Sequence, residues 1–167
     1  MKKLLVANRG EIAVRIMRWA AEGGVATVAV PPADDAGSLH VDEADEAVEL
    51  PGAGTAAYLA IDAVIDAARR SGADAIHPGY GFLSENAAFA RACAEAGIAF
   101  VGPAPETLEL FGDKARARGH AAACDVPAPA GTDGPTTLEQ AQAFFDSLGK
   151  GGAGMLKGIA GGVCAWA

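Results

Sequence analysis

The feature that most constrains this chain is an alternation of short apolar runs with segments whose apolar residues recur at helical spacing. Leu4-Leu5-Val6-Ala7 ends at the turn Asn8-Arg9-Gly10, and Ile12, Ile16 and Trp19 then mark a helix with Glu11, Arg15, Arg18 and Glu22 on another face. Gly23-Gly24 stops that helix, and a second strand, Ala26 to Val30, runs up to Pro31-Pro32. A short strand is expected at Ala47-Val48-Glu49-Leu50, and a helix through Ile61, Val64, Ile65 and Ala68, closed by Ser71-Gly72. Next come a strand at Ala73 to Ile76 ending at His77-Pro78-Gly79, a helix from about Ser84 (as N-cap) to Ala96, and a strand at Ile98 to Val101 before Gly102-Pro103. Strands alternating with helices predict an α/β fold, a parallel sheet with helices on both faces and right-handed crossovers. Any ligand site belongs at the carboxyl ends of the strands, where the glycine-containing turns lie.

Near Gly112 the pattern changes. A helix is expected around Lys114 to Cys124, then a Pro- and Gly-rich connection, a helix around Leu138 to Leu148, a strand at Met155 to Lys157 and a glycine-heavy end. The chain is therefore divided into 1–112 and 113–167.

Composition excludes several classes. A net charge of −8 without clustered Lys and Arg argues against nucleic acid and anionic membrane as partners. The acidic residues gather between Asp34 and Glu49, which reads as a solvated, mobile loop. Three cysteines, Cys93, Cys124 and Cys164, without a CxxC pair support neither a disulfide framework nor a zinc site, and a reducing cytoplasm is the expected setting. The apolar run after Met1-Lys2-Lys3 is too short for a signal peptide or a membrane span. The 51% hydrophobic share is rich in alanine, so the core must rely on Ile, Val and Leu and on close helix–sheet approach.

The first turn joins strand to helix, but Asn8-Arg9-Gly10-Glu11-Ile12-Ala13 lacks the glycines of GxGxxG. The side chains of Arg9 and Glu11 would obstruct a pyrophosphate, which disfavours a dinucleotide-dependent oxidoreductase; they are expected to make local polar contacts. His77-Pro78-Gly79-Tyr80-Gly81-Phe82-Leu83-Ser84-Glu85-Asn86 is either a packing loop or one whose glycines let backbone approach a ligand. Lys114 after Gly112-Asp113, and Lys157 before Gly158, are either solvated or a pair of point charges embracing a polyphosphate.

Leu4 to Ala13, His77 to Asn86, Phe100-Val101-Gly102-Pro103 and Gly112-Asp113-Lys114 together resemble the biotin carboxylases, over residues 2 to about 162. The likeness is to the amino-terminal part of acyl-CoA carboxylase biotin carboxylase domains, with pyruvate carboxylase a near relative. It implies a Rossmann-like domain preceding an ATP-grasp, and use of ATP, Mg²⁺ and bicarbonate to carboxylate biotin on a carrier protein or domain, for a carboxyltransferase to use. By position, Lys114 and Lys157 match two ATP-contacting lysines. Tyr80 falls in the loop facing biotin, and Arg18 and Glu22 match a homodimer face, although their i,i+4 spacing also suits a simple helix pair.

The resemblance breaks at the tail. After Lys157 the family continues into a glycine-rich phosphate loop, GGGGRGM, where this chain reads Gly161-Gly162-Val163-Cys164-Ala165-Trp166-Ala167. Asp125 stands where a glycine is usual, and Ala153-Gly154 also departs from the pattern. Residues 113–167 are thus expected to be an incomplete start of an ATP-grasp without the Mg²⁺ ligands. The isolated chain is expected to lack carboxylase activity; the alternative is a non-catalytic binding or dimerisation module.

Overall fold

The computed structural model describes the chain apart from residues 133, 150, 158–163 and 167 and the side chains of residues 157 and 164–166. It divides into two compact units, Met1–Leu108 and Glu109–Ala167.

The first unit is built on β1 (Lys3–Val6), β2 (Ala26–Ala29), β3 (Glu46–Ala47), β4 (Ala75–His77) and β5 (Ala99–Phe100), all parallel, in the order β3-β2-β1-β4-β5. β1 is central, with Leu5 opposite Val28 on one side and Ile76 on the other. A central parallel strand is covered on both faces, which is why its sequence is a continuous apolar run. Leu5 enters one core, while Leu4 and Val6 enter the other.

Helices α1 (Gly10–Glu22) and α2 (Leu39–Asp42) cover the Leu4 and Val6 face. The opposite face is covered by α3 (Gly54–Tyr58), α4 (Ile61–Ser71) and α5 (Ala87–Glu95), which contribute Tyr58, Val64 and Phe89 to the larger core. Ala13, Ala67 and Ala68 are fully buried, so alanine is used where helix and sheet approach closely. A further helix, α6 (Pro105–Gly112), follows β5.

In the second unit lie α7 (Lys114–Ala123), α8 (Leu138–Ser147) and an antiparallel pair, β6 (Met155–Lys157) and β7 (Cys164–Trp166). The β7 strand had no counterpart in the sequence reading. Thr137 and Gln140 form a reciprocal capping box at the start of α8.

One way of closing a helix recurs in both units. At the end of α1, Gly24 is left-handed (φ 69°), its N–H donates to Ala21 O and the Val25 N–H donates to Ala20 O. At the end of α7 the Asp125 N–H donates to Ala122 O and the Val126 N–H to Ala121 O, the same pattern, with Asp125 at φ 55°. The slot where the resemblance calls for glycine is thus a left-handed one, and aspartate holds it at a steric cost glycine would not bear.

Several expectations are corrected. Asp34 to Glu49 is not a loop throughout: it holds a 3-10 turn (Ala33–Asp35), α2 and β3, although Asp34, Asp42, Asp45, Glu46 and Glu49 are exposed to solvent as expected. Several of its carboxylates are engaged, Asp34 by the Gly54 N–H (3.0 Å), Asp45 by the Thr27 N–H (2.7 Å) and Glu46 by Lys3 Nζ (2.8 Å). The edge strand is Glu46–Ala47, while Leu50 forms a single parallel bridge with Pro32. Helix α5 begins at Ala87 because residues 81–86 are spent in turns, with Ser84 N–H on Gly81 O and Asn86 N–H on Leu83 O. The cap is the Asn86 side chain, which accepts from the Phe89 N–H at 3.0 Å. On α1 the buried stripe is Ala13, Val14 and Met17, and Trp19 lies on its flank, 70% exposed. Helices α3 and α6 were not anticipated.

Candidate functional site

The chain builds β1, β2 and β3 outward on one side, then crosses back to lay β4 against the other side of β1. That reversal places the turn after β1 beside the loop after β4, the position where parallel α/β sheets take ligands. The two are locked together by Asn8, which is 1% exposed. Its Nδ2 donates to Pro78 O (2.8 Å) and Tyr80 O (2.9 Å), and its Oδ1 accepts the Arg9 N–H at 2.9 Å. Every hydrogen-bonding group of the side chain is used except one lone pair on the oxygen.

Between the two carbonyls Asn8 holds lies Gly79, at φ 65°, whose N–H donates to His77 Nδ1 at 3.0 Å. A Cβ at Gly79 would meet Asn8 Nδ2 at 2.6 Å and Ile12 Cγ2 at 2.8 Å, so only glycine lets the loop sit this low. Gly81 (φ 69°) and Phe82 (φ 42°) are also left-handed. A left-handed phenylalanine persists only where its surroundings over-determine it, and such strain gathers at ligand-facing loops. Tyr80, at the apex, is 55% exposed.

Phe82 is fixed by stacking on Tyr58, with ring centroids 5.2 Å apart and an interplanar angle of 26°. The Arg9 guanidinium lies over both rings, at 5.8 and 5.9 Å from their centres, and 3.9 Å from Asp35. Tyr58 donates its hydroxyl to Asp35 at 2.7 Å. Burial and the hydrogen bond to Asp35 push the Tyr58 phenol above its usual range. Burial works to raise the Asp35 carboxyl, but the Ser38 and Tyr58 hydroxyls, with His40 and Arg9, hold it below the usual carboxylate range. The Arg9 side chain thus does not make the local polar contacts expected of it within the turn: its partners are distant in sequence, in the acidic stretch, in α3 and in the loop after β4.

His40 completes this corner. It is fully buried, and neither ring nitrogen has a hydrogen-bond partner within the protein. Burial lowers the His40 imidazole, opposed by Asp35 and reinforced by Arg9; burial alone lowers His77. An imidazole lowered by folding is protonated first in the unfolded chain, so stability present above about pH 6.5 is lost as the pH falls toward the folded value. The melting temperature is therefore expected to drop between about pH 7 and pH 5, before the carboxylates titrate, and less so in a His40→Gln variant. Circular dichroism melts that stayed flat over that range would contradict this.

Arg18 and Glu22 both line an open groove of about 690 Å³, with Arg15, Trp19, Leu39 and His40 among its walls. Arg18 does not take the helix pairing its spacing offers: its guanidinium engages Glu43 at the end of α2, at 2.6 and 3.2 Å. Lys114 is the first residue of α7, behind Asp113, whose side chain accepts from the Ala115 and Arg116 N–H groups. Lys157 ends β6, and its side chain lies outside the described residues, as do Gly161, Gly162 and Val163. Sequence reasoning missed Asn8, Asp35, His40 and Tyr58 as site residues; only Asn8, in the strand-end turn Asn8-Arg9-Gly10, left a local sign.

Comparison with known proteins supplies the family. The model of the biotin carboxylase N-terminal domain matches residues 1–108. Pyruvate carboxylase of Bacillus subtilis is 50% identical over 93% of this chain, which spans 15% of that protein. A solved single-chain, multi-domain long-chain acyl-CoA carboxylase is 56% identical with a TM-score of 0.87, covering 93% of this chain and 15% of its own. The biotin carboxylase domain dimer of Hydrogenobacter thermophilus 2-oxoglutarate carboxylase, solved with MgADP, ADP and bicarbonate, is 42% identical with a TM-score of 0.92, covering 99% of this chain and 37% of its own. With its strand order, its locked switch-point loops and these matches together, the chain belongs to the biotin carboxylase N-terminal domain family.

Proposed function

We propose that this chain supplies the amino-terminal part of an ATP-dependent biotin carboxylase, which uses bicarbonate to carboxylate biotin on a carrier protein or domain within an acyl-CoA carboxylase. The observation that carries the reading is the fixed, strained loop from Pro78 to Phe82 at the switch point of the sheet, which displays Tyr80. In this proposal Tyr80 faces biotin, Lys114 and Lys157 contact ATP, and Arg18 and Glu22 lie on a homodimer face. Residues 1–112 form the Rossmann-like domain and 113–167 begin an ATP-grasp. The partners are the biotin carrier and a carboxyltransferase, in the cytoplasm.

The site residues fit these groups unequally. An exposed tyrosine on a glycine-lined loop suits a neutral ring system such as biotin, and the ammonium of Lys114 suits a phosphate oxygen, whereas the Asp113 carboxylate already caps the helix N-terminus beside it. Among the described residues no group of three or more His, Cys, Asp or Glu side chains could hold a metal ion, so no step is assigned to Mg²⁺ on them. Among the same residues no helix is long and apolar enough to cross a membrane.

Two measurements test the proposal. Exchanging residues 1–108 of this chain into the Bacillus subtilis pyruvate carboxylase should leave carboxylation of free biotin clearly measurable above background, as expected when a fold and its loop geometry are kept. A folded chimera without activity would overturn the reading. Alone, the 167-residue chain should give only background bicarbonate-dependent ADP with free biotin, since catalysis needs a preorganised constellation; sustained turnover would refute that part.

A further inference from the structure

The buried carboxamide of Asn8 does more than fill space. Its two N–H donors go to the carbonyls of Pro78 and Tyr80, the residues on either side of Gly79, across a sequence separation of 70 to 72 residues. Those carbonyls define the direction of the peptide planes on both sides of the turn. Rotating either plane would break a bond made by the buried carboxamide, the one to Pro78 itself buried and the one to Tyr80 partly so, and the missing Cβ of Gly79 lets the amide approach closely enough to make both. His77 Nδ1 accepts the Gly79 N–H, so the polar groups about this turn satisfy one another. The three left-handed residues of the loop are thus held from below by Asn8 and from the side by the stack of Phe82 on Tyr58.

We propose that Asn8 is the positioning residue of this loop: its carboxamide fixes the backbone around Gly79 and thereby sets the direction in which Tyr80 is presented to a ligand. The proposal rests on reading the loop as biotin-facing. It assigns Asn8 no contact with the ligand; Asn8 acts through Tyr80.

The test uses the full 167-residue chain, labelled with ¹⁵N, as wild type, Asn8→Ser and Asn8→Asp. Serine keeps one donor, while aspartate keeps the shape but turns a carboxylate oxygen on two carbonyls. Backbone relaxation should show Gly79 to Gly81 as ordered as β4 in the wild type. In Asn8→Ser their order should fall and the Tyr80 ring resonances should move, with α4 and α5 unchanged. Asn8→Asp should do the same more strongly; should it fail to fold, Asn8→Ser decides. Titration with free biotin should shift the Gly79 to Gly81 amides of the wild type, with an apparent Kd about tenfold weaker in Asn8→Ser, the scale of one lost buried hydrogen bond. Unchanged loop order and Tyr80 resonances in Asn8→Ser would overturn the positioning role. A wild-type loop indifferent to biotin, but loosened by Asn8→Ser, would support that role and overturn only the biotin-facing reading.

Discussion

Replacing Gly79 by alanine is expected to destabilise the first unit by about 2 to 5 kcal/mol, the sum of a left-handed L-residue and an overpacked contact. The added Cβ would stand 2.6 Å from the Asn8 amide nitrogen and 2.8 Å from Ile12 Cγ2, neither able to retreat without surrendering a buried bond or the packing of α1. A control separates the two contributions. Gly81 is equally left-handed, at φ 69°, but a Cβ there meets nothing within 4 Å. Gly81→Ala should therefore cost only the conformational part, about 1 to 2 kcal/mol. Urea unfolding of both variants measures the difference, and equal losses would show that the close approach of Asn8 to the loop is not real.

Phe89→Ala should also be costly, about 3 to 5 kcal/mol. Phe89 is fully buried on α5, meets Phe100 edge to face with centroids 5.8 Å apart, and packs among the side chains that join α4 and α5 to the sheet. Trp19 is the contrast. It is a larger ring but 70% exposed, so Trp19→Ala should change stability by no more than about 0.5 kcal/mol. Comparable losses for the two would contradict the core described here.

That contrast also marks where the sequence was legible. The runs Leu4 to Ala7 and Ala26 to Val30 declared themselves as strands because both faces of a central parallel strand are buried, leaving no polar alternation to confuse the reading. Trp19 was placed on the inner face because a period marks a stripe but not its edges, and the true stripe is centred on Ala13 and Met17. The acidic stretch misled for a different reason. A run of carboxylates reads as a loop until its partners are known, and the partners of Asp35, Asp45 and Glu43 are Tyr58, Thr27 and Arg18, brought in by tertiary structure.

The site was legible in part. The loop from His77 to Asn86 stood out through its glycines, and its place at a strand end followed from the alternation. What holds the loop was not readable, because Asn8 reaches its partners across the sheet and Arg9 finds its aromatic pair on two separate elements. Asp125 shows the reverse case. The resemblance asked for glycine there, and the left-handed backbone gives the physical reason.

The sheet of the first unit also limits how this chain can be joined by others. Its two outer strands, β3 and β5, have two residues each. Ladder bonds continue only a little further, from the Val48 and Leu50 N–H groups on one border and the Val101 N–H on the other, so an incoming strand would find a short template and neither border invites the runaway pairing that makes long, bare β margins hazardous. Association through the first unit then falls mainly to its helical surfaces, where side chains rather than main-chain groups choose the neighbour.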